Sequence, residues 1–387
     1  MFILAVIFDV IFVMTLLIVI IFFTTLEAEQ VSNVIGILMI LIGVMVASLI
    51  CAIFTHRYLY KKNHKDDSIK DDDVPNIPKE YIVKTIEEFI NYRRKDIFLS
   101  KIRFTSSFDL KSLFDYFYQH RNESSEYYFY LGDCYSQGWG IKLNYEEGLK
   151  CYKKAASQGY VKALNAIACS YYFGEGVPED EEEAFKWYKK AAEAGYAVAQ
   201  YNLGECYYDG DGVSGSFEEA FKWFKTAALQ GYVLAENRLG ECYYIGCGVS
   251  RNYALSFEWY KKAACHGYDE AQHSLACFYR DGEVVSQDYK EAFKWYKRAA
   301  LQGHPSAQNL VGMFYQEGTG VPKDYYEAFK WYKKSAEQDF SFAQYHLAVC
   351  YEKGLGVPKN ITSAIYWYKK AAAQGQWESS EALKRLT

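Results

Sequence analysis

Histidine and cysteine are the side chains best able to hold a metal or attack a substrate, and this 387-residue chain carries 7 and 10 of them. The histidines form no HxxH or HExxH pair and the cysteines no CxxC pair, so zinc-type spacing and metal catalysis have no support. Glycine turns such as "GEGVP" at 174–178 could cradle a phosphate. Each leads into a loop rather than following a strand, which argues against nucleotide binding. The run Glu179 to Glu183, with Asp209 and Asp211 further on, could attract Ca²⁺, but it lacks the spacing of an EF-hand loop and reads as a solvated helix start. A net charge of −5 leaves no broad basic patch for nucleic acid. The expected class is therefore a non-enzyme with no cofactor, no metal and no small-molecule substrate, working through a protein partner.

What the chain repeats is packing. The column of Trp187 recurs at Trp223, Trp259, Trp295, Trp331 and Trp367 in steps of 36 residues, with Cys151 one step earlier. Such a period marks supersecondary units that stack on their neighbours. In each unit Asn144, Asp180, Ser216, Asn252, Asp288, Asp324 and Asn360 stand where a side chain can cap a helix start. Glu147, Glu183, Glu219, Glu291 and Glu327 follow three residues on and complete a capping box. That helix closes at a column holding Gly159, Gly195, Gly231, Gly267, Gly303 and Gly375. Within it Ala184, Trp187, Tyr188 and Ala191 make one apolar stripe, and Ala163, Ile167, Ala168 and Tyr171 do the same for the helix before. A lone hairpin cannot bury those stripes, so its neighbours must. Many of the cysteines fall in the same scheme: Cys134, Cys206, Cys242 and Cys350 share a column with Ser170, Phe278 and Phe314, which reads as packing by reduced thiols.

Columns that vary point outward. In the first helices one such column reads Asn165, Tyr201, Asn237, His273, Asn309, Tyr345; a second reads Cys169, Glu205, Glu241, Cys277, Met313, Val349; a third reads Tyr172, Tyr208, Tyr244, Arg280, Gln316, Glu352. At spacings of four and three they share a face, the one that lines the concave groove of helical-pair solenoids and accepts a peptide. The candidate contacts are Tyr201, Glu205, Tyr208, Asn237, Glu241, Tyr244, His273, Arg280, Asn309 and Tyr345. Tyr201, Tyr208 and Tyr244 lead the set because Tyr is enriched at interface hot spots.

The recurring pattern "AxxxLGxxYxxGxGVxxDxxxAxxWYxKAAxxG" resembles the Sel-one-like repeat, a relative of the tetratricopeptide repeat. The resemblance implies an all-α fold, a right-handed α-solenoid of helix-turn-helix repeats, and the activity of an adaptor that assembles protein complexes at membranes or in bacterial signalling. Cys151 for Trp, Val284 for the second turn glycine and Asp339 for the closing glycine depart from the pattern, and local changes of geometry are expected at those units.

The first residues are of another kind. Met1 to Phe23 and Val34 to Phe54 are each apolar over about the 20 residues a bilayer crossing needs. Arg57, Lys61, Lys62 and Lys65 follow the second stretch, and basic residues favour the cytoplasmic side. The expected organisation is a two-helix transmembrane hairpin over 1–56, a charged linker over 57–79, a helical cap region over 80–123, seven repeats over 124–375 and a C-terminal capping helix over 376–387. The repeats then lie in the cytoplasm, at a bacterial inner membrane. A competing reading makes the chain an assembly or regulatory subunit whose hairpin, with Asp9 inside it, contacts an integral partner.

Overall fold

A computed structural model of the chain describes residues 110–386, and the expected hairpin, linker and most of the cap region lie outside them. Among the described residues there are 16 α-helices and no strands, and none of the helices is long and apolar enough to cross a membrane. Substantial helix contacts run only between consecutive helices, as a linear stack requires. Units 1 to 7 below are 124–159 through 340–375 in steps of 36. In unit 2 the first helix is Val161–Phe173 and the second Glu181–Glu193.

The capping residues act as their chemistry predicts. Asn144, Asp180, Ser216, Asn252, Asp288, Asp324 and Asn360 all accept a backbone N–H from three residues on. The second half of the capping box is replaced. The cap residues' own amides donate instead to tyrosine carbonyls of the preceding helix, as Asp180 does to Tyr171 at 2.9 Å and Asp288 to Tyr279 at 2.8 Å. Relieved of that task, Glu147, Glu183, Glu219, Glu291 and Glu327 pair with the lysine one turn on. The tyrosine column thus bonds the two helices through its carbonyls. Its rings meet the previous unit edge-on, with Phe185–Tyr207, Phe221–Tyr243, Phe293–Tyr315 and Phe329–Tyr351 each 5.3–5.4 Å apart.

The two large rings of the stripe are not buried alike. Tyr296, Tyr332 and Tyr368 are at most 1 % exposed and Phe224 is 0 %, whereas in the tryptophan column only Trp331 is buried. The tryptophans sit at the stripe's margin, where a cation one turn on covers the ring: Lys190 over Trp187 at 4.0 Å, Lys262 over Trp259 at 3.8 Å, Arg298 over Trp295 at 4.4 Å. Ala163, Ala184, Ala191 and the other alanines of their columns are at most 1 % exposed, which lets helix axes approach closely.

A buried polar seam links the units. Gln272 donates to the Ala264 carbonyl at 3.2 Å and accepts from Gln302 at 2.9 Å, and Gln200, Gln308 and Gln344 repeat both bonds. In unit 4 both partners change together: Glu236, 3 % exposed, meets His266 at 2.7 Å.

The departures have distinct outcomes. Asp339 takes the closing-glycine conformation with φ of 60° and anchors it by accepting from Gln344 at 3.2 Å and Lys370 at 3.1 Å. Val284 packs on the Phe257–Tyr260 cluster in place of a glycine turn. At the ends, helix Leu110–His120 lays Phe117, 1 % exposed, on the first repeat, and helix Trp377–Leu386 covers the last, with Arg385 reaching Glu352 at 2.6 Å.

All nine described cysteines are free thiols. Burial pushes Cys206, Cys242 and Cys350 up to about 12, which keeps them protonated and unreactive. Melting the purified chain with and without reductant should give midpoints within about 1 °C, whereas a structural disulfide contributing about 2–4 kcal/mol would shift them by several degrees.

Candidate partner-binding face

Each first helix ends in a left-handed glycine, Gly210 with φ of 87° in unit 3 and Gly246 with 85° in unit 4. This stop sets the third varying column in the last turn, beside the aromatic residue that starts the next helix. Tyr208 therefore lies 5.3 Å from Phe217, and Tyr244 lies 5.2 Å from Tyr253 and 5.9 Å from Phe278. Tyr244 is 41 % exposed and Tyr208 partly so. Tyr201 belongs as much to the wall as to the surface: its ring packs 5.4 Å from Tyr232 and 5.8 Å from Phe224, and burial raises its hydroxyl pKa. The three are therefore unequal, and Tyr201 carries packing that Tyr244 does not.

Glu205 and Glu241 are drawn together by a residue that the column comparison passed over. Arg238 donates to both oxygens of Glu205 at 2.8 Å and to Glu241 at 2.7 Å, with its guanidinium 5.1 Å from the Tyr208 ring centre. A bidentate pair of this kind fixes geometry as well as charge. Its column reads Ala166, Asn202, Arg238, Ser274, Leu310, His346 and varies as much as the three chosen, so variation alone could have found it. In unit 3 the same column bridges units again, with Asn202 donating to Asn165 at 2.9 Å.

The first varying column is recessed. Asn309 is 6 % exposed, its amide reaching the Met313 sulfur at 3.7 Å, and the side-chain carbonyls of Asn237 and Asn309 are buried without a hydrogen-bond partner. His273 stacks on His304 with ring centres 4.8 Å apart, and its Nε2 lies 3.2 Å from the Ser306 hydroxyl. Burial and the neighbouring His304 push His273 down to about 4, so it is neutral at pH 7. His304 Nδ1 accepts the Ala307 amide, which leaves Nε2–H to donate to Glu270 at 3.1 Å. Asp133, in the column of Glu205 but in unit 1, is pushed up to about 7 by burial while Tyr152 donates to it at 2.7 Å.

The candidate residues form one cluster and several outliers. Tyr201, Asn237 and Glu241 line a recess of about 400 Å³ with Arg238, Tyr268 and Glu270, and Glu205 and Tyr208 join them through Arg238. Arg280 turns to Asp281 at 2.7 Å and lines a second recess of about 430 Å³ with Met313 and Thr319. Tyr345 lies 5.9 Å from Tyr368 in the last unit. No group of three His, Cys, Asp or Glu among the described residues could hold a metal.

The family model of the Sel1 repeat matches residues 125–160, 161–196, 197–232, 233–268, 269–304, 305–340 and 341–376, one residue out of register with the units used above. A protective antigen of uropathogenic Escherichia coli strains with an SLR fold is 34 % identical with a TM-score of 0.66, over 70 % of this chain. The chain spans 59 % of that protein's length. A Sel1 repeat protein from Oxalobacter formigenes is 31 % identical with a TM-score of 0.59, over 75 % of this chain and 85 % of its own. No curated protein gives a match. With seven consecutive repeats matched and the helical stack in hand, the chain belongs to the Sel1 repeat family.

Proposed function

We propose that the chain is a membrane-tethered adaptor that holds a protein partner along the concave face of its repeat array. Sel1 repeats mediate contacts between proteins, and the apolar stretches 1–23 and 34–54 supply a tether of membrane-spanning length. The observation that carries the reading is the face of units 3 to 5. There the varying columns bring the exposed Tyr244 ring, the half-buried Tyr208 ring, a cross-unit Glu–Arg–Glu network and an open recess together on one surface. Aromatic rings beside preorganised charges are what a protein interface uses for affinity and register. Catalysis is not part of this reading.

The test extracts the full chain from membranes in mild detergent and compares what co-purifies with wild type and with a Tyr208→Ser, Tyr244→Ser double variant. Tyr201 is left in place because it packs on Phe224 and Tyr232. Truncating an interface Tyr commonly costs more than about 1 kcal/mol, so partner yield should fall about fivefold or more while the melting midpoint barely moves. Wild-type yield of every partner would reject this face. Release of the chain from membranes by salt alone would reject the tether.

A further inference from the structure

The recess between units 3, 4 and 5 is unlike the rest of the face. Its walls come from three consecutive units, Tyr201 from unit 3, Asn237, Arg238 and Glu241 from unit 4, and Tyr268 and Glu270 from unit 5. Two carboxylates, Glu241 and Glu270, line it against the single guanidinium of Arg238, which a third, Glu205, holds from behind. That guanidinium is already engaged by Glu205 and Glu241, so it offers little to an incoming anion. Glu241 spends one oxygen on Arg238 and Glu270 one on the His304 Nε2–H, and Glu270 is otherwise exposed toward solvent. His273 beside it is uncharged at neutral pH and adds no positive charge. Three tyrosines, Tyr201, Tyr260 and Tyr268, supply ring surface, and the Asn237 carbonyl is buried at the wall without a donor.

We propose that this recess is a socket for the side chain of an arginine or lysine in an extended segment of the bound partner. The volume of about 400 Å³ lies at the low end of ligand pockets, room for one long side chain and accompanying water. A basic side chain brings what the walls lack. Its charge and donors face Glu241 and Glu270, and its methylenes and cation lie against the tyrosine rings. Because the walls span three units, an extended chain crossing the face presents a side chain to the recess without bending into it. The socket rests on the reading of this face as partner-binding and narrows it to one chemistry.

The experiment titrates blocked five-residue peptides, Gly-Ser-Arg-Ser-Gly and its citrulline, lysine and glutamate analogues, into the detergent-solubilised full chain by calorimetry. The arginine peptide should bind saturably, the citrulline peptide about tenfold or more weaker, and the affinity should fall as salt rises from about 20 to about 300 mM. Glu241→Gln and Glu270→Gln should each weaken the arginine peptide by about 3–10-fold, and Glu317→Gln at the second recess should leave it unchanged. If Glu241→Gln unsettles the array by freeing Arg238, Glu270→Gln, at an exposed carboxylate, carries the comparison alone. No saturable binding up to about 10 mM, or equal binding of arginine and citrulline peptides, overturns the socket. Free arginine binding as tightly as the peptide assigns the recess to a small cation and overturns it too. If the peptides fail while the Tyr208, Tyr244 variant still loses its partner, the socket falls and the face stands; if the partner is also retained, both fall.

Discussion

Tyr296→Ala should lower the stability of the array by about 3–5 kcal/mol, whereas Trp295→Ala, one residue away and larger in side chain, should cost about half as much or less. Tyr296 is 0 % exposed, meets Phe314 edge-on at 5.6 Å and donates its hydroxyl to the Cys277 sulfur at 3.2 Å. Removing it leaves a cavity walled by two helices of unit 5 and the first helix of unit 6, and rigid neighbours cannot collapse into it. Trp295 is only partly buried and is covered by Arg298, so water and that side chain can fill its place. Urea unfolding followed by helical signal measures both. Equal losses at the two residues would show that the tryptophan column holds the core as much as the tyrosine column does.

The second large effect is expected at a turn. Gly248 has φ of 66°, and a Cβ there would sit 2.0 Å from the Phe217 carbonyl oxygen of the preceding unit. Gly248→Ala therefore strains its own backbone and forces units 3 and 4 apart, with a combined cost of about 2–5 kcal/mol. Gly267 also has a positive φ, 94°, but nothing lies within 4 Å of a Cβ added there. Gly267→Ala carries only the backbone cost of about 1–2 kcal/mol. A midpoint shift no larger for Gly248→Ala than for Gly267→Ala would mean that the turn does not press on its neighbour. Because each unit contacts only the next, the damage at Gly248 should also broaden the transition by uncoupling the two halves of the array.

Both effects start from columns that the sequence displays openly, yet neither of the two contrasts could be read there. The closing glycines and the turn glycines look alike in sequence: both recur every 36 residues and both permit positive φ. Their difference is the distance to another unit. Likewise the pair Trp-Tyr advertises a packing stripe, but which ring lies at the centre depends on how the two helices of a unit roll against each other. Asn309 varies like a surface residue and is 6 % exposed, because a short side chain in a column shared with Tyr201 and Tyr345 sinks between its neighbours.

What the sequence determined by itself is whatever one unit can settle locally. The period, the helix starts at Asp180 and its mates, the αL stops, the apolar stripes and the terminal caps follow from hydrogen-bonding capacity, backbone freedom and side-chain spacing within about 36 residues. What only the tertiary structure decided is everything that crosses units at an offset. Arg238 reaches Glu205 33 residues back, Gln302 reaches Gln272 30 back, and the recess collects walls from three units. Those meetings are set by the rotation and rise from one hairpin to the next. That geometry is fixed by the summed packing of large rings and small alanines across each interface, a property of pairs of surfaces that no single column records.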